Sequence, residues 1–311
     1  MYLPRLRARQ FEVLAVRDCA PSLGPSRKLI PIMEPVKALD AKYARRLREV
    51  SAKGLTCSLV LNPSVGDHAA ANAWQEVGRY YLKNGLLDIH SLAILSNAGA
   101  NHRAMQNWVT NLRVQGLAFA LDIIHEPGMS VNLAGNTYRN VRWNVAEDRT
   151  VPLAYGLPLS ASQVVWANDP FPAVTANREY VGRPESIFSA RPAGYKAAGY
   201  IGVSDYLTVG QRYQPGGGPA YVVAIHLTHA VSGVVRLIHF CSDSNLTQDD
   251  PGGKFLEALN KLVTYVNSQG VARNPALDRF FDLHRRQHYP GLGQVKQLSM
   301  MNHMFVMAAA V

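Results

Sequence analysis

The sequence predicts an α/β protein: a distorted TIM-like (β/α)8 barrel forming a single domain, with a C-terminal β-hairpin and helical extension. Three observations predict it. Over residues 1–128, short apolar runs alternate with amphipathic stretches at a spacing of roughly 30 residues, the rhythm of parallel βα units. The strand-like runs end repeatedly in Asn, Asp, His or Ser, as strands do when they deliver polar groups to a barrel rim. No glycine-rich phosphate loop follows the first apolar strand, which disfavours a doubly wound open sheet.

The elements follow in order. Phe11, Leu14 and Ala15 fall at helical spacing within 9–20, and a strand-like run covers 28–36. Residues 38–53 read as an amphipathic helix, capped by Asp40 and stopped by Gly54. A strand over 56–61 ends at Asn62-Pro63, and a helix over 67–84, capped by Asp67, stops near Gly85. A strand at 91–95, a helix over 99–115 closed by Gly116, and a strand at 117–123 ending in His125-Glu126-Pro127-Gly128 complete the regular part. Residues 129–248 are less regular, with strands expected at 139–145, 163–168, 199–204 and 220–229. Val231-Ser232-Gly233 then turns the chain into a second strand, 234–241, and Gly216 to Pro219 read as a local loop. Helices follow at 253–268, 275–287 and 293–308; Asp249-Asp250-Pro251 opens the first, and Met300, Met301, Met304 and Met307 supply packing to the last. Counting from 28–36 to 220–227 gives eight barrel strands.

Composition narrows the class. A chain of 311 residues with 48% hydrophobic and 17% charged residues buries a sizeable core. The net charge is +10, and residues 1–54 carry +7 of it through twelve Lys and Arg against five acids. Such a basic region attracts nucleic acid, an acidic protein or anionic lipid, unless it is the solvated face of one helix. Cys19, Cys57 and Cys241 are odd in number and unpaired in spacing, which points to a reducing, cytoplasmic setting without disulfides. Nothing resembles a signal peptide and no apolar run reaches 18 residues, so no membrane association is expected.

On the barrel reading, functional groups belong at the C-terminal strand ends, which carry Glu34, Asn62, Ser96-Asn97, Asp122 with His125 and Glu126, Asn168-Asp169, Ser204-Asp205 and His226. Glu34, Asp122, Asp169, Asp205 and His226 are the catalytic candidates: the carboxylates as ligands of a divalent metal, His226 as ligand or general base. His125, His239, Asp243 and Asn245 are binding candidates. His226 and His229 point to opposite faces of one strand, whereas His226 and His239 can meet across the hairpin. Asp205 and His226 are expected to be close neighbours at the ends of adjacent barrel strands. Several motifs are missing: a zincin His-Glu-x-x-His, a Walker loop around Lys254 and a Gly-x-Ser-x-Gly elbow.

Several segments carry a resemblance. They include Met1-Tyr2-Leu3-Pro4 with Gln10-Phe11-Glu12, Ile32-Met33-Glu34-Pro35-Val36-Lys37 and Gly202-Val203-Ser204-Asp205-Tyr206. Ala224-Ile225-His226, His239-Phe240, Ser242 to Asn245, Pro251 to Phe255 and Tyr289 to Gly293 add to it. Together they resemble a bacterial branch of the phage beta-protein family. This chain departs from it at Arg191-Pro192-Ala193, where more acid is expected, and at Arg5 and Ala8, where an aromatic and a glycine are expected. The resemblance implies a barrel-like domain on phage or defence-associated loci beside a partner gene. A binding or regulatory role with a protein partner in antiviral defence or mobile-element conflict follows from it. It transfers no catalytic residue. The alternative expectation, from the rim residues, is a metal-dependent hydrolase or phosphodiesterase.

Overall fold

Strands covered on both faces read as continuous apolar runs, and those at β3 (Ser58–Val60), β4 (Ser91–Leu95) and β5 (Leu121–Ile124) are buried throughout. They belong to an eight-stranded parallel sheet with β1 (Arg5–Leu6), β2 (Ile32–Met33), β6 (Val141–Ala146), β7 (Val164–Ala167) and β9 (Gly202–Ser204). The strands pair in that order along the chain. The sheet closes on itself: Tyr2 bridges in parallel to both Leu29 and Val203. Leu3 N donates to Val203 O at 2.9 Å, Val203 N to Met1 O at 2.9 Å and Arg5 N to Asp205 O at 2.8 Å. The result is a distorted TIM-like barrel.

This computed structural model describes residues 1–96, 101–126, 140–148, 163–216 and 221–311. Asn97, Pro127-Gly128, position 139, the expected helix start at 99–100 and the 217–219 part of the glycine loop lie outside them. The chain divides into two compact units, one comprising Met1–Asn168, Gly194–Asp205 and Val311, the other Asp169–Ala193 and Tyr206–Ala310.

In the first unit, α1 (Gln10–Leu23), α2 (Ala41–Ala52), α3 (Trp74–Lys83) and α4 (His102–Val114) make the crossovers between successive strands. Asp40 caps α2, its carboxylate accepting from Tyr43 N at 2.8 Å, and Asn101 caps α4 through Ala104 N at 3.0 Å. Asp67 caps no helix: its carboxylate accepts from Ala38 N, and α3 begins seven residues later, at Trp74. The barrel interior is filled by Leu3, Ile32, Val60, Ala93, Leu95, Ile124, Val145, Val165 and Ala167. Nearly every strand contributes, as a packed barrel interior requires.

Strand counting needs one correction. The barrel begins with β1, not with the 28–36 run, and its eighth strand is β9; the 220–227 run belongs to the second unit. There β10 (Ala224–Val231) and β11 (Val234–Cys241) form the expected hairpin, and β8 (Glu185–Ser189) pairs antiparallel with β11. Arg5 in β1 and Arg7 just after it hid the strand pattern. The 220–227 run pairs instead, through β10, with β11, in a separate three-stranded antiparallel sheet.

The remaining helices are the short turn α5 (Arg191–Gly194), then α6 (Pro251–Ser268), α7 (Pro275–Arg285) and α8 (Leu292–Ala310). Asp250 caps α6 by accepting from Gly253 N at 2.8 Å, with Pro251 in the first turn, so the Asp-Asp-Pro-Gly-Gly-Lys segment is helix-start chemistry. The α8 methionines Met300, Met301, Met304 and Met307 are all buried. No described helix is long and apolar enough to cross a membrane.

Gly202 sits at the closing seam, where an added Cβ would lie 2.5 Å from Met1 O. Gly202→Ala should therefore destabilise the fold by about 1–3 kcal/mol, the cost of overpacking a tight site. Denaturant unfolding checks this; an unchanged midpoint would show that the seam yields freely.

Candidate functional site

The second unit contains a cavity of about 160 Å³ whose described walls come entirely from its own two chain segments. Asp169 ties those segments together. Its carboxylate accepts from Phe171 N at 3.4 Å and from Gln211 N at 2.7 Å, fixing the loop that carries Thr208 and Arg212 against Phe171. Positive φ at Leu207 and Gly210 turns this loop. Strand β10 supplies His226, and α8 supplies Lys296 and Ser299, three apart on one helical face.

The cross-strand register places His226 opposite His239, and their Nδ1 atoms are 2.8 Å apart. Such a bond needs one ring donating N–H and the other accepting on a lone pair; with both rings neutral, one carries its proton on Nδ1 and the other on Nε2. Burial lowers the His239 pKa to about 4. Burial, then His239 and then the Lys296 charge lower that of His226 to about 3. Tyr180 stacks on His239 with ring centroids 4.3 Å apart and meets His226 edge-on, as Phe171 does at 5.3 Å. The Tyr180 hydroxyl donates to Pro172 O at 2.9 Å. His229 faces the other way, toward Tyr265.

The rest of the wall is polar and basic. Arg212 and Lys296 line the cavity, and no described lining residue is acidic. Thr208 and Ser299, 4% and 2% exposed, have hydroxyl oxygens with no hydrogen-bond partner among the described residues. A buried hydroxyl left unpaired costs about 1–3 kcal/mol, which a bound water or ligand group offsets. An imidazole with a pKa near 3 is a weak base at neutral pH, whereas general-base catalysis favours one near the working pH. The cavity thus brings together two cations, two hydroxyl-bearing residues, His226 of the histidine pair and aromatic rings.

The rim candidates of the first unit are separately engaged. Glu34 pairs with Arg7 and accepts from Ser64 N and Oγ at 2.8 and 2.9 Å. Asp122, fully buried, accepts from Ser58 Oγ at 2.6 Å and from Arg142 Nε and Nη2 at 2.9 and 2.5 Å. Asp205 accepts from the Tyr2 hydroxyl at 2.7 Å, and Glu126 pairs with Arg5. His125 bonds Asn144 Oδ1 at 3.0 Å, and burial lowers its pKa to about 4. Asn62 clamps the Leu95 backbone from both sides, at 2.8 and 2.9 Å. In the second unit, Asp243 is exposed and pairs with Lys261 at 2.7 Å, and Asn245 is exposed.

Glu34, Asp122, Asp169, Asp205 and His226 thus have five different sets of partners. Among the described residues, no three His, Cys, Asp or Glu side chains come together as metal ligands. The expectation that Asp205 and His226 sit on adjacent strands is corrected: β9 lies beside β1 and β7, whereas His226 lies on β10 of the other sheet. The basic N-terminal region is also partly neutralised. Arg5 and Arg7 are buried in ion pairs, and Arg17 and Arg45 both approach Glu49 at 3.7 Å.

No protein-family model and no curated protein matches the chain.

The histidine pair makes stability depend on pH. Both folded pKa values lie below the ordinary value of 6.5, so the unfolded chain binds more protons between about pH 6.5 and pH 3–4. Their contribution is therefore fully present above pH 6.5 and declines as the medium acidifies, on the order of 1 kcal/mol per pH unit for each group. Unfolding curves from pH 7 to pH 4.5 should show this slope, reduced in His226→Phe/His239→Phe. An equal slope in the double variant would contradict the pairing; His90 and His125, also depressed to about 4, account for what remains.

Proposed function

We propose that this protein is a binding module whose second unit takes a small organic ligand in the cavity beside His226. The observation that carries this reading is the wall's make-up: Thr208 and Ser299, whose buried hydroxyls have no partner among the described residues, line a cavity together with Arg212, Lys296 and Phe171. Small-molecule sites pair apolar and aromatic walls with a few convergent polar groups, and this cavity has that composition. The resemblance to the phage beta-protein family adds the proposal that binding is relayed to a protein partner encoded nearby, in antiviral defence or mobile-element conflict. A binding role is preferred to metal-dependent hydrolysis because the five catalytic candidates are spent on separate hydrogen bonds and ion pairs.

The test is a ligand-observed NMR screen of neutral, cationic and anionic aromatic compounds against the wild type and Ala224→Phe. Ala224 lines the cavity, and a benzyl group there fills it. Binders should lose at least tenfold in affinity, about 1.4 kcal/mol, in the variant. A screen without binders, or binders indifferent to Ala224→Phe, would contradict the reading.

A further inference from the structure

We infer that the ligand carries a phosphoryl group on a flat ring, with the phosphoryl oxygens seated among Lys296, Arg212, Thr208 and Ser299. The inference rests on the cavity being a ligand site and names the class of that ligand.

Charge gives the first part. Two cationic side chains line the cavity with no acid among its described walls, and Arg212 is exposed with no acidic partner among the described residues. A cavity walled in this way favours an anion and disfavours a cation. Lys296 is exposed, and after burial and His239 its charge is the third cause that lowers the His226 pKa.

Hydrogen-bonding capacity gives the second part. Arg212 offers a planar fork of donors, Lys296 a compact ammonium, and Thr208 and Ser299 one hydroxyl hydrogen each. These groups come from separate elements, the 206–214 loop and α8, so they approach from different directions. A tetrahedral group with three terminal oxygens accepts from several directions at once, whereas a carboxylate accepts mainly in one plane. Thr208 and Ser299 line the cavity with hydroxyl oxygens that are shielded and have no partner among the described residues, and rotation about χ1 turns each hydroxyl onto a phosphoryl oxygen placed there.

Shape gives the third. The cavity holds on the order of ten water-sized positions, enough for a single ring bearing one substituent. Phe171, half-buried, presents its ring to that space, and the neutral His226 beside it adds no charge. An aromatic or heteroaromatic monophosphate matches both halves of the wall.

The experiment is isothermal titration of the full chain with phenyl phosphate, benzoate, phenol and inorganic phosphate. Phenyl phosphate should bind most tightly, exceeding benzoate and phenol by tenfold or more, with inorganic phosphate weaker for want of the ring. Arg212→Ala and Lys296→Ala should each weaken phenyl phosphate roughly tenfold, the scale of one charge-assisted hydrogen bond, and leave phenol unchanged. Thr208→Val and Ser299→Ala remove hydroxyls that have no partner, so melting temperatures should hold or rise while phenyl phosphate affinity falls. That combination separates a ligand contact from a structural role. Benzoate or phenol matching phenyl phosphate, with binding lost in Ala224→Phe, would overturn the phosphoryl assignment and leave the cavity as a ligand site. Binding of none of the four would overturn the phosphoryl assignment; if the wider NMR screen were empty too, the binding reading would fall with it.

Discussion

The first unit depends on the backbone hydrogen bonds that join the chain start to β9. Leu3, Arg5 and Val203 donate across this seam, and without them the eight strands would be an open sheet with two bare edges. Closure also fixes which side chains face inward. Leu3 packs in the barrel interior, and by the twofold alternation of strands Arg5 and Arg7 follow it on the same face. Two guanidinium groups buried there would be costly unless paired. Glu34 continues the inward face of Ile32, and Glu126 that of Ile124, and these two carboxylates meet Arg7 and Arg5. Glu34, which looks catalytic in the sequence, is together with Glu126 a counterion that lets the first segment carry arginine into the barrel.

Much of the architecture was legible. The Asp40 and Asp250 caps, the hairpin at 224–241 and the buried methionines of α8 follow from local chemistry, and local chemistry is what a sequence displays directly. The β1 strand was not legible. It reads Arg5-Leu6 and runs on into Arg7, and the carboxylates that pair with these arginines, Glu126 and Glu34, are distant in sequence. Asp67 looked like a helix cap because its side chain does bond a backbone amide; the amide belongs to Ala38, on another segment.

The site divides in the same way. The approach of His226 to His239 can be read by counting outward from the Ser232-Gly233 turn, since the hairpin register is set locally. Phe171, Thr208, Arg212, Lys296 and Ser299 carry no motif, because they come from three stretches of chain that only the fold assembles. The signal that finds them is energetic. A folded protein seldom buries hydroxyls without partners, and two that have none among the described residues belong to residues lining a cavity with two cations. His226, which also lines the cavity, and its partner His239 have lowered pKa values and add no positive charge near pH 7.

Histidine side-chain NMR tests the central claim most directly. The ten histidines include His226 and His239 in the second unit and His90 and His125 in the barrel unit. On titration with phenyl phosphate, the ring resonances of His226 and His239 should move together and saturate, while those of His90 and His125 stay in place. Movement confined to the barrel histidines, with His226 and His239 unmoved at saturating probe, would contradict the account.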